Sequence, residues 1–485
     1  MENQSGTNVL VEPTNPRDMR GKVKLSKAEL VNSLVNIVGV HRVIHEPDYL
    51  RVYECDGYVA RNGLPSAVVF PETTQEVAEI VRLLAKHQVP FLPRGAGTGL
   101  SGGATPLNGE VILNFARMNK LISVDLDNLR AVVQPGYINL TLSKEIDKDG
   151  FFYAPDPSSQ SSSTIGGNVA ENSGGAHCLK YGVTTNHVVA ATVVLPTGEI
   201  AHIGTPFGDA VGYDLMGLFV GAEGTLGIVT EITVRIMKKP EAVKTVQAMY
   251  DSIAQASDTV SDIIRAGILP AAIEFMDKLA IQAVEKSSYH VGYPEDIEAI
   301  LIIEVDGLTA GLEETTDKIL DICRRHEVRT VKMATNANER ALWWGNRKMA
   351  FGAMGQISPD YLVQDGSVPR TRLTEALARI QAMSRDAGLR IANVFHAGDG
   401  NLHPLILYDS ANPEETERAI QTASRILKVC ADLGGTITGE HGVGLEKLEE
   451  MRYVFNKTEL EAQLALRKVF DPQNLCNAGK LIPLP

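Results

Sequence analysis

Between residues 95 and 227 the chain carries three blocks dense in glycine, serine and asparagine, separated by short β-type runs at 111–114 and 191–195. Glycine supplies positive φ and lets backbone approach where a Cβ would collide. One such block reads as a surface turn. Three within one unit call for a fold whose backbone closes round a ligand. The first block is Pro93-Arg94-Gly95-Ala96-Gly97-Thr98-Gly99-Leu100-Ser101-Gly102-Gly103. Gly97, Gly99 and Gly102 satisfy G-x-G-x-x-G, but a Rossmann fingerprint needs a helix opening at its third glycine. Here Pro106 and Asn108-Gly109 follow, and a strand is expected from Val111. What remains is a run of backbone N–H groups beside Arg94, an anion nest that fits a pyrophosphate without a helix.

The second block runs from Pro155-Asp156-Pro157 through Ser163-Thr164, Gly166-Gly167-Asn168, Ala170 and Asn172 to Gly174-Gly175. Its hydroxyls and amides suit the nitrogens and carbonyl oxygens of a flavin ring, or a phosphate. The third, Gly221-Ala-Glu223-Gly224-Thr-Leu-Gly227-Ile228, reads as a turn feeding a strand beside an adenine or ribose. Apolar periodicity predicts helices at 26–38 and 74–87 and strands at 67–70 and 89–92. Beyond Lys238-Lys239-Pro240 the glycine content falls to normal, which marks a unit boundary. Helices are then expected at 252–266, 309–326, 371–387 and 413–433, and strands at 299–305 and 391–396, giving an α+β unit with an antiparallel sheet under helices. The expected organisation is a flexible tail (1–25), a ligand-binding unit (26–239), a second unit (240–430) and a C-terminal segment (431–485) packing back on the first.

A chain of 485 residues exceeds one ordinary core. Its 46 Lys and Arg against 59 Asp and Glu, without a basic stripe, exclude nucleic acid as a partner. The five cysteines lie far apart, so no thiolate zinc or iron–sulfur site is expected in this chain. The Met-Glu-Asn-Gln-Ser-Gly-Thr start resembles no signal peptide and no apolar run spans a bilayer. The expectation is a cytoplasmic protein, at most peripheral at the inner face of a membrane.

The chemistry-bearing residues lie late in the chain. Asn-Val-Phe-His396-Ala-Gly-Asp399-Gly-Asn401-Leu-His403-Pro reads as two strands joined at Asp399-Gly400, so that two imidazoles approach each other across a hairpin. Further on stands Thr438-Gly-Glu440-His441-Gly-Val-Gly444, whose flanking glycines leave room for a ligand. Two histidines and a carboxylate with open positions form a metal-ligand set that Zn²⁺, Fe²⁺ and Mn²⁺ all accept, as fit for hydrolysis as for oxidation.

The three blocks resemble the flavin-binding domain of the FAD-linked oxidase superfamily that includes vanillyl-alcohol oxidase. The second half resembles that superfamily's C-terminal domain in 2-hydroxy-acid dehydrogenases. Gly345-Asn-Arg347-Lys-Met-Ala-Phe351, Pro359-Asp-Tyr361, Gln364-Asp-Gly-Ser-Val-Pro-Arg370 and the hairpin motif together resemble the group of glycolate oxidase (glycolate dehydrogenase) flavoprotein subunits. The resemblance implies a two-part FAD-binding domain with an α+β cap. It implies FAD contacts by residues 94–100, by Pro155, Ser163, Thr164, Gly167, Asn168, Ala170, Asn172, Gly174 and Gly175, and by Glu223, Gly224, Gly227 and Ile228. The first block holds no His or Cys, so the flavin should be dissociable. The superfamily's Asn-Pro-Gly-Lys stands here as Asn477-Ala-Gly-Lys480, leaving Asn477 as a flavin contact.

The implied activity is oxidation of a short 2-hydroxy acid, glycolate or D-lactate, with hydride passing from Cα to flavin N5. In this scheme His396, His403 and Glu440 hold a divalent ion on the substrate hydroxyl, His441 is the base, and Arg347 holds the carboxylate. Relatives that act on 2-hydroxyglutarate carry a basic residue where Val363 falls. With Val363 and Phe351 apolar, D-2-hydroxyglutarate is the less favoured substrate. Electrons would leave to FAD-binding or iron–sulfur partner subunits, or to a quinone. Trp343 and Trp344 are expected as core anchors, and His177-Cys178 as a packed loop.

Overall fold

The computed structural model describes residues 25–107, 109–207 and 211–484. The tail expected at 1–25 therefore lies, but for Leu25, outside the described residues. The first helix, Lys27–Val38, opens on a capping box in which Ser26 and Glu29 satisfy each other's backbone N–H. With Thr74–His87 it covers a four-stranded sheet ordered Val43–Ile44, Ala67–Val69, Val111–Asn114, Phe91–Arg94. The last three of these strands run parallel. A second, antiparallel sheet follows in the order Leu121–Asp125, Arg130–Val133, Ile228–Arg235, Val188–Val194, Ile200–Gly204.

The first glycine block leaves the strand Phe91–Arg94, and the third enters Ile228–Arg235. The second contains a helix absent from the sequence reading, Ile165–Glu171, capped by Thr164 Oγ1, which accepts from Gly167 N at 3.2 Å. Two glycines and an asparagine in its first turns give it little intrinsic helical signal. Packing supplies what propensity lacks: a Cβ on Gly166 would lie 2.5 Å from Pro135.

The second half is a seven-stranded sheet, antiparallel throughout, ordered Thr330–Met333, Ala242–Tyr250, Ala299–Gly307, Ala272–Asp277, Arg390–His396, Pro404–Tyr408, Asp360–Val363. Four helices cover one face: Ile253–Arg265, Leu312–Arg325, Leu373–Ala387 and Pro413–Asp432. These are the four expected helices. The other face packs on Lys278–Glu285 and on Ala337–Ala353, which periodicity did not reveal. Ala337–Ala353 buries Asn346 and Arg347 along with Trp343, Trp344, Ala350 and Ala353, so a third of its inner stripe is polar. Lys457–Phe470, also unexpected, buries only Leu460 and Arg467.

The end of the chain returns to the first sheet. Phe91 N donates to Leu475 O at 2.9 Å and Asn477 N to Phe91 O at 2.7 Å.

Candidate active site

A cavity of about 610 Å³ runs from the glycine blocks to the histidine hairpin. Residues 94–100 of the first block line it, with Ser163, Thr164, Gly167, Asn168 and Ala170 of the second and Glu223, Gly224, Gly227 and Ile228 of the third. Gly97 has φ +73°, and a Cβ there would run into the Arg94 guanidinium. A Cβ on Gly95 would strike Thr164 Oγ1, so the first two blocks touch only because this position has no side chain. Ser163 Oγ and Asn168 Nδ2 are buried on this wall without a hydrogen-bond partner. Buried polar groups are rarely left so. A polar cofactor along this wall would satisfy them, so the residues present fit a flavin dinucleotide.

Five expected contacts lie outside the lining. Pro155 O accepts from Asn139 Nδ2 at 3.0 Å. Asn172 ends the helix Ile165–Glu171 with φ 53°, its Oδ1 taking Thr185 N at 2.9 Å. Gly174 abuts Glu440 and Cys178, and Gly175 abuts Asp156. Asn477 Nδ2 donates to Gly103 O at 2.9 Å and Glu223 O at 2.7 Å, tying the first block to the third.

At the far end of the cavity stand His403, Glu440 and His441. The hairpin pairs Asn393 with Pro404 and Ile391 with Ile406, as its two apolar runs predict. The ring centroids of His396 and His403 are 5.1 Å apart. Glu440 Oε1 lies 3.2 Å from His396 Nε2 and 3.3 Å from His403 Nε2, and one donor atom from each residue falls within 4.8 Å of the others. Both His403 ring nitrogens are buried without a hydrogen bond. His396 Nε2 and Glu440 Oε1 are within hydrogen-bond distance, but a buried His403 with both nitrogens unbonded beside them suits a shared cation, so this set fits a divalent metal.

Glu274, not anticipated from sequence, faces His396 directly across the strand pair. Its Oε1 lies 2.6 Å from His396 Nδ1. A carboxylate on Nδ1 leaves Nε2 turned towards the cluster, the usual support of a ligating imidazole. A second triad, Asp365, His403 and His441, also comes within 4.8 Å. Most of the Asp365 carboxylate is, however, already engaged in holding the loop: Oδ2 accepts from Gly439 N, His441 N, Lys447 Nζ and the Thr438 hydroxyl, and Oδ1 from Glu440 N.

Desolvation pulls the His441 imidazole down to about 4, so at neutral pH it is unprotonated. It stacks on His403 at 4.8 Å, and its Nδ1 is buried without a partner. Burial would raise Glu440, but His396 and the neighbouring imidazoles bring it to about 2.

Arg347 does not line the cavity. It is buried, with Nη2 2.6 Å from Glu274 Oε2 and its guanidinium 5.8 Å from the Phe351 ring, while its Nε donor is unused. Arg340, Trp344, Arg347 and Phe351 follow one stripe of their helix. The stripe meets two buried carboxylates of the sheet: Arg340 and Trp344 bond Glu304, and Arg347 bonds Glu274. His177 joins the same network, 2.8 Å from Asp156, 3.3 Å from Glu304 and stacked on Trp344 at 5.5 Å. Phe351, Tyr361 and Val363 form the apolar wall beside the histidines. Residues 56–60, which also line the cavity, carry no glycine-rich or histidine signal and passed unmarked in the sequence.

Residues 65–204 match the model of an FAD binding domain, and residues 239–481 match that of the FAD linked oxidases, C-terminal domain. The chain belongs to the FAD-linked oxidase family. This FAD-linked oxidoreductase is 44 % identical over 441 residues to the glycolate oxidase subunit GlcD of Escherichia coli (strain K12), covering 91 % of this chain and 88 % of the relative. It is 33 % identical over 431 residues to the D-lactate dehydrogenase of Anaerostipes hadrus, covering 86 % and 89 % respectively. Its fold is similar to that of p-cresol methylhydroxylase with substrate bound, with a TM-score of 0.79 at 18 % identity over 94 % of this chain and 97 % of the other. The fold class is that expected, an FAD-binding fold of vanillyl-alcohol-oxidase type with an α+β cap. No helix among the described residues is long and apolar enough to cross a membrane.

Proposed function

We propose that this oxidoreductase converts glycolate to glyoxylate, with D-lactate as the next substrate in preference. The reading rests on one observation: a single cavity joins the glycine blocks to an unprotonated His441 set beside His396, His403 and Glu440. The E. coli relative's name supports glycolate, and the apolar Phe351, Tyr361 and Val363 wall supports a short chain with one carboxylate. The same wall also admits a methyl group. That and the Anaerostipes hadrus relative favour D-lactate as the second reading.

The three blocks would hold FAD without a covalent bond, and the flavin would supply the acceptor for the Cα hydride. His441 takes the hydroxyl proton. Arg347, with its Nε unused and its guanidinium on Glu274, is the candidate anchor for the carboxylate, although it stands behind the residues that line the cavity. A divalent ion on His396, His403 and Glu440 would lower the hydroxyl pKa; zinc, iron and manganese all suit the donors. Residues 26–239 would then carry FAD, 240–430 the substrate wall, and 431–485 the base. The five cysteines are unpaired. Electrons would leave to a partner subunit bearing FAD or an iron–sulfur centre, or to a quinone. The relative's designation as a subunit supports the first route. The protein would work in the cytoplasm, at most against the inner face of the membrane.

The test is anaerobic. Glycolate, D-lactate, L-lactate and D-2-hydroxyglutarate are added in turn to the purified holoenzyme, and the flavin absorbance is followed. Glycolate should bleach it fastest and D-2-hydroxyglutarate least. Chelation should slow bleaching, and zinc, iron or manganese should restore it. A flavin that stays oxidised with all four acids would sink the reading.

A further inference from the structure

The loop bearing Glu440 and His441 has almost no regular structure of its own, yet each N–H from Gly439 to Gly444 has an acceptor. Gly439 N is shared between the Asp365 carbonyl at 2.8 Å and Oδ2 at 3.1 Å, Oδ2 also takes His441 N at 2.9 Å, and Oδ1 takes Glu440 N at 3.1 Å. The same carboxylate accepts from the Thr438 hydroxyl and from Lys447 Nζ at 3.2 Å. Lys447 Nζ also donates to Gly442 O at 3.0 Å, while Thr438 Oγ1 takes Gly442 N at 3.0 Å. Beyond Gly442 the holder changes: Glu223 of the third glycine block takes Val443 N and Gly444 N, each at 2.7 Å.

Asp365 and Lys447 are both 0 % exposed. A buried ion pair contributes little net stability, because desolvating both charges offsets their attraction. Its value lies in the directions it imposes. Three consecutive N–H groups converging on one carboxylate form a nest that allows the loop a narrow range of conformations.

We propose that Asp365 is the positioning residue of the reaction: it sets the place of His441 and Glu440 against the substrate, with Glu223 holding the far end of the same loop from the flavin-binding side. The assignment rests on the functional reading above, in which His441 is the base. A neutral amide at 365 would turn an NH₂ donor towards backbone N–H groups and the Lys447 ammonium, and the loop would shift. A misplacement of about 1 Å at a reacting group costs on the order of 100-fold in rate.

The test compares Asp365→Asn and Thr438→Val with wild type as holoenzymes. Thr438→Val removes one hydroxyl from the nest but leaves the buried charges paired, which makes it the variant that should fold unchanged. Stopped-flow reduction by glycolate gives the limiting rate and the half-saturating concentration, FAD content is measured in parallel, and Zn²⁺ affinity is read by calorimetry without substrate. We expect limiting rates reduced about 100-fold in Asp365→Asn and about 10-fold in Thr438→Val, at near-constant half-saturation and FAD content, with weaker Zn²⁺ binding in both. A rate loss matched by FAD loss, a loss confined to half-saturation, or a wild-type rate in both variants would overturn the proposal. Were no 2-hydroxy acid to reduce even the wild-type flavin, the functional reading would fall. Asp365 would then be judged on Zn²⁺ affinity alone, and an unchanged affinity would overturn the positioning role.

Discussion

Val363 illustrates how one side chain can select a substrate. It lies on the cavity wall with Phe351 and Tyr361, where a second carboxylate would lose its water without gaining a partner. Val363→Lys should therefore raise the rate of flavin reduction by D-2-hydroxyglutarate relative to D-lactate by at least tenfold, measured by competition or by separate kcat/KM values. An unchanged ratio would mean that selectivity is decided elsewhere. The sequence made such residues visible in proportion to how much their neighbours gave way. His396, His403, Glu440 and His441 stand among glycines, which mark backbone opened for a ligand. Glu274 stands between Ile273 and Phe275, and all six residues of its strand are buried. In text it reads as an ordinary polar alternation. Its meaning comes from register with His396, and that is a property of two strands far apart in the chain.

Helices with an apolar stripe, such as Thr74–His87, were legible to the residue. Ala337–Ala353 was not, because its buried stripe alternates Trp with Arg and Asn. That helix and the second glycine block are joined through His177. Burial disfavours the His177 imidazolium, but Asp156 and Glu304 raise its pKa to about 10. The unfolded value is near 6.5, so the imidazolium's contribution is complete below about pH 6.5 and is lost as pH climbs towards 10. Melting temperatures from about pH 7 to 10 should accordingly fall more steeply in wild type than in His177→Gln. Parallel curves would remove His177 from the ledger of contacts between the two units.

At the scale of the molecule, the flavin cavity is assembled from both ends of the chain. Arg467 donates to the carbonyls of Cys476, Asn477 and Lys480, Asn477 binds Gly103 and Glu223, and Lys480 Nζ reaches Gly103 O and Thr105 O at 2.9 and 2.6 Å. A chain lacking residues 476–484 should fold its cap yet retain several-fold less FAD after gel filtration, read from the ratio of flavin to protein absorbance. Full occupancy would show that the latch is dispensable. The latch also has a consequence in time. On the ribosome the three glycine blocks emerge early, but the strand edge at Phe91 waits for Cys476 and Asn477, which are made only after the whole cap. A nascent chain therefore lacks the contacts that tie its first cofactor loop to its third until its catalytic loop has also been made.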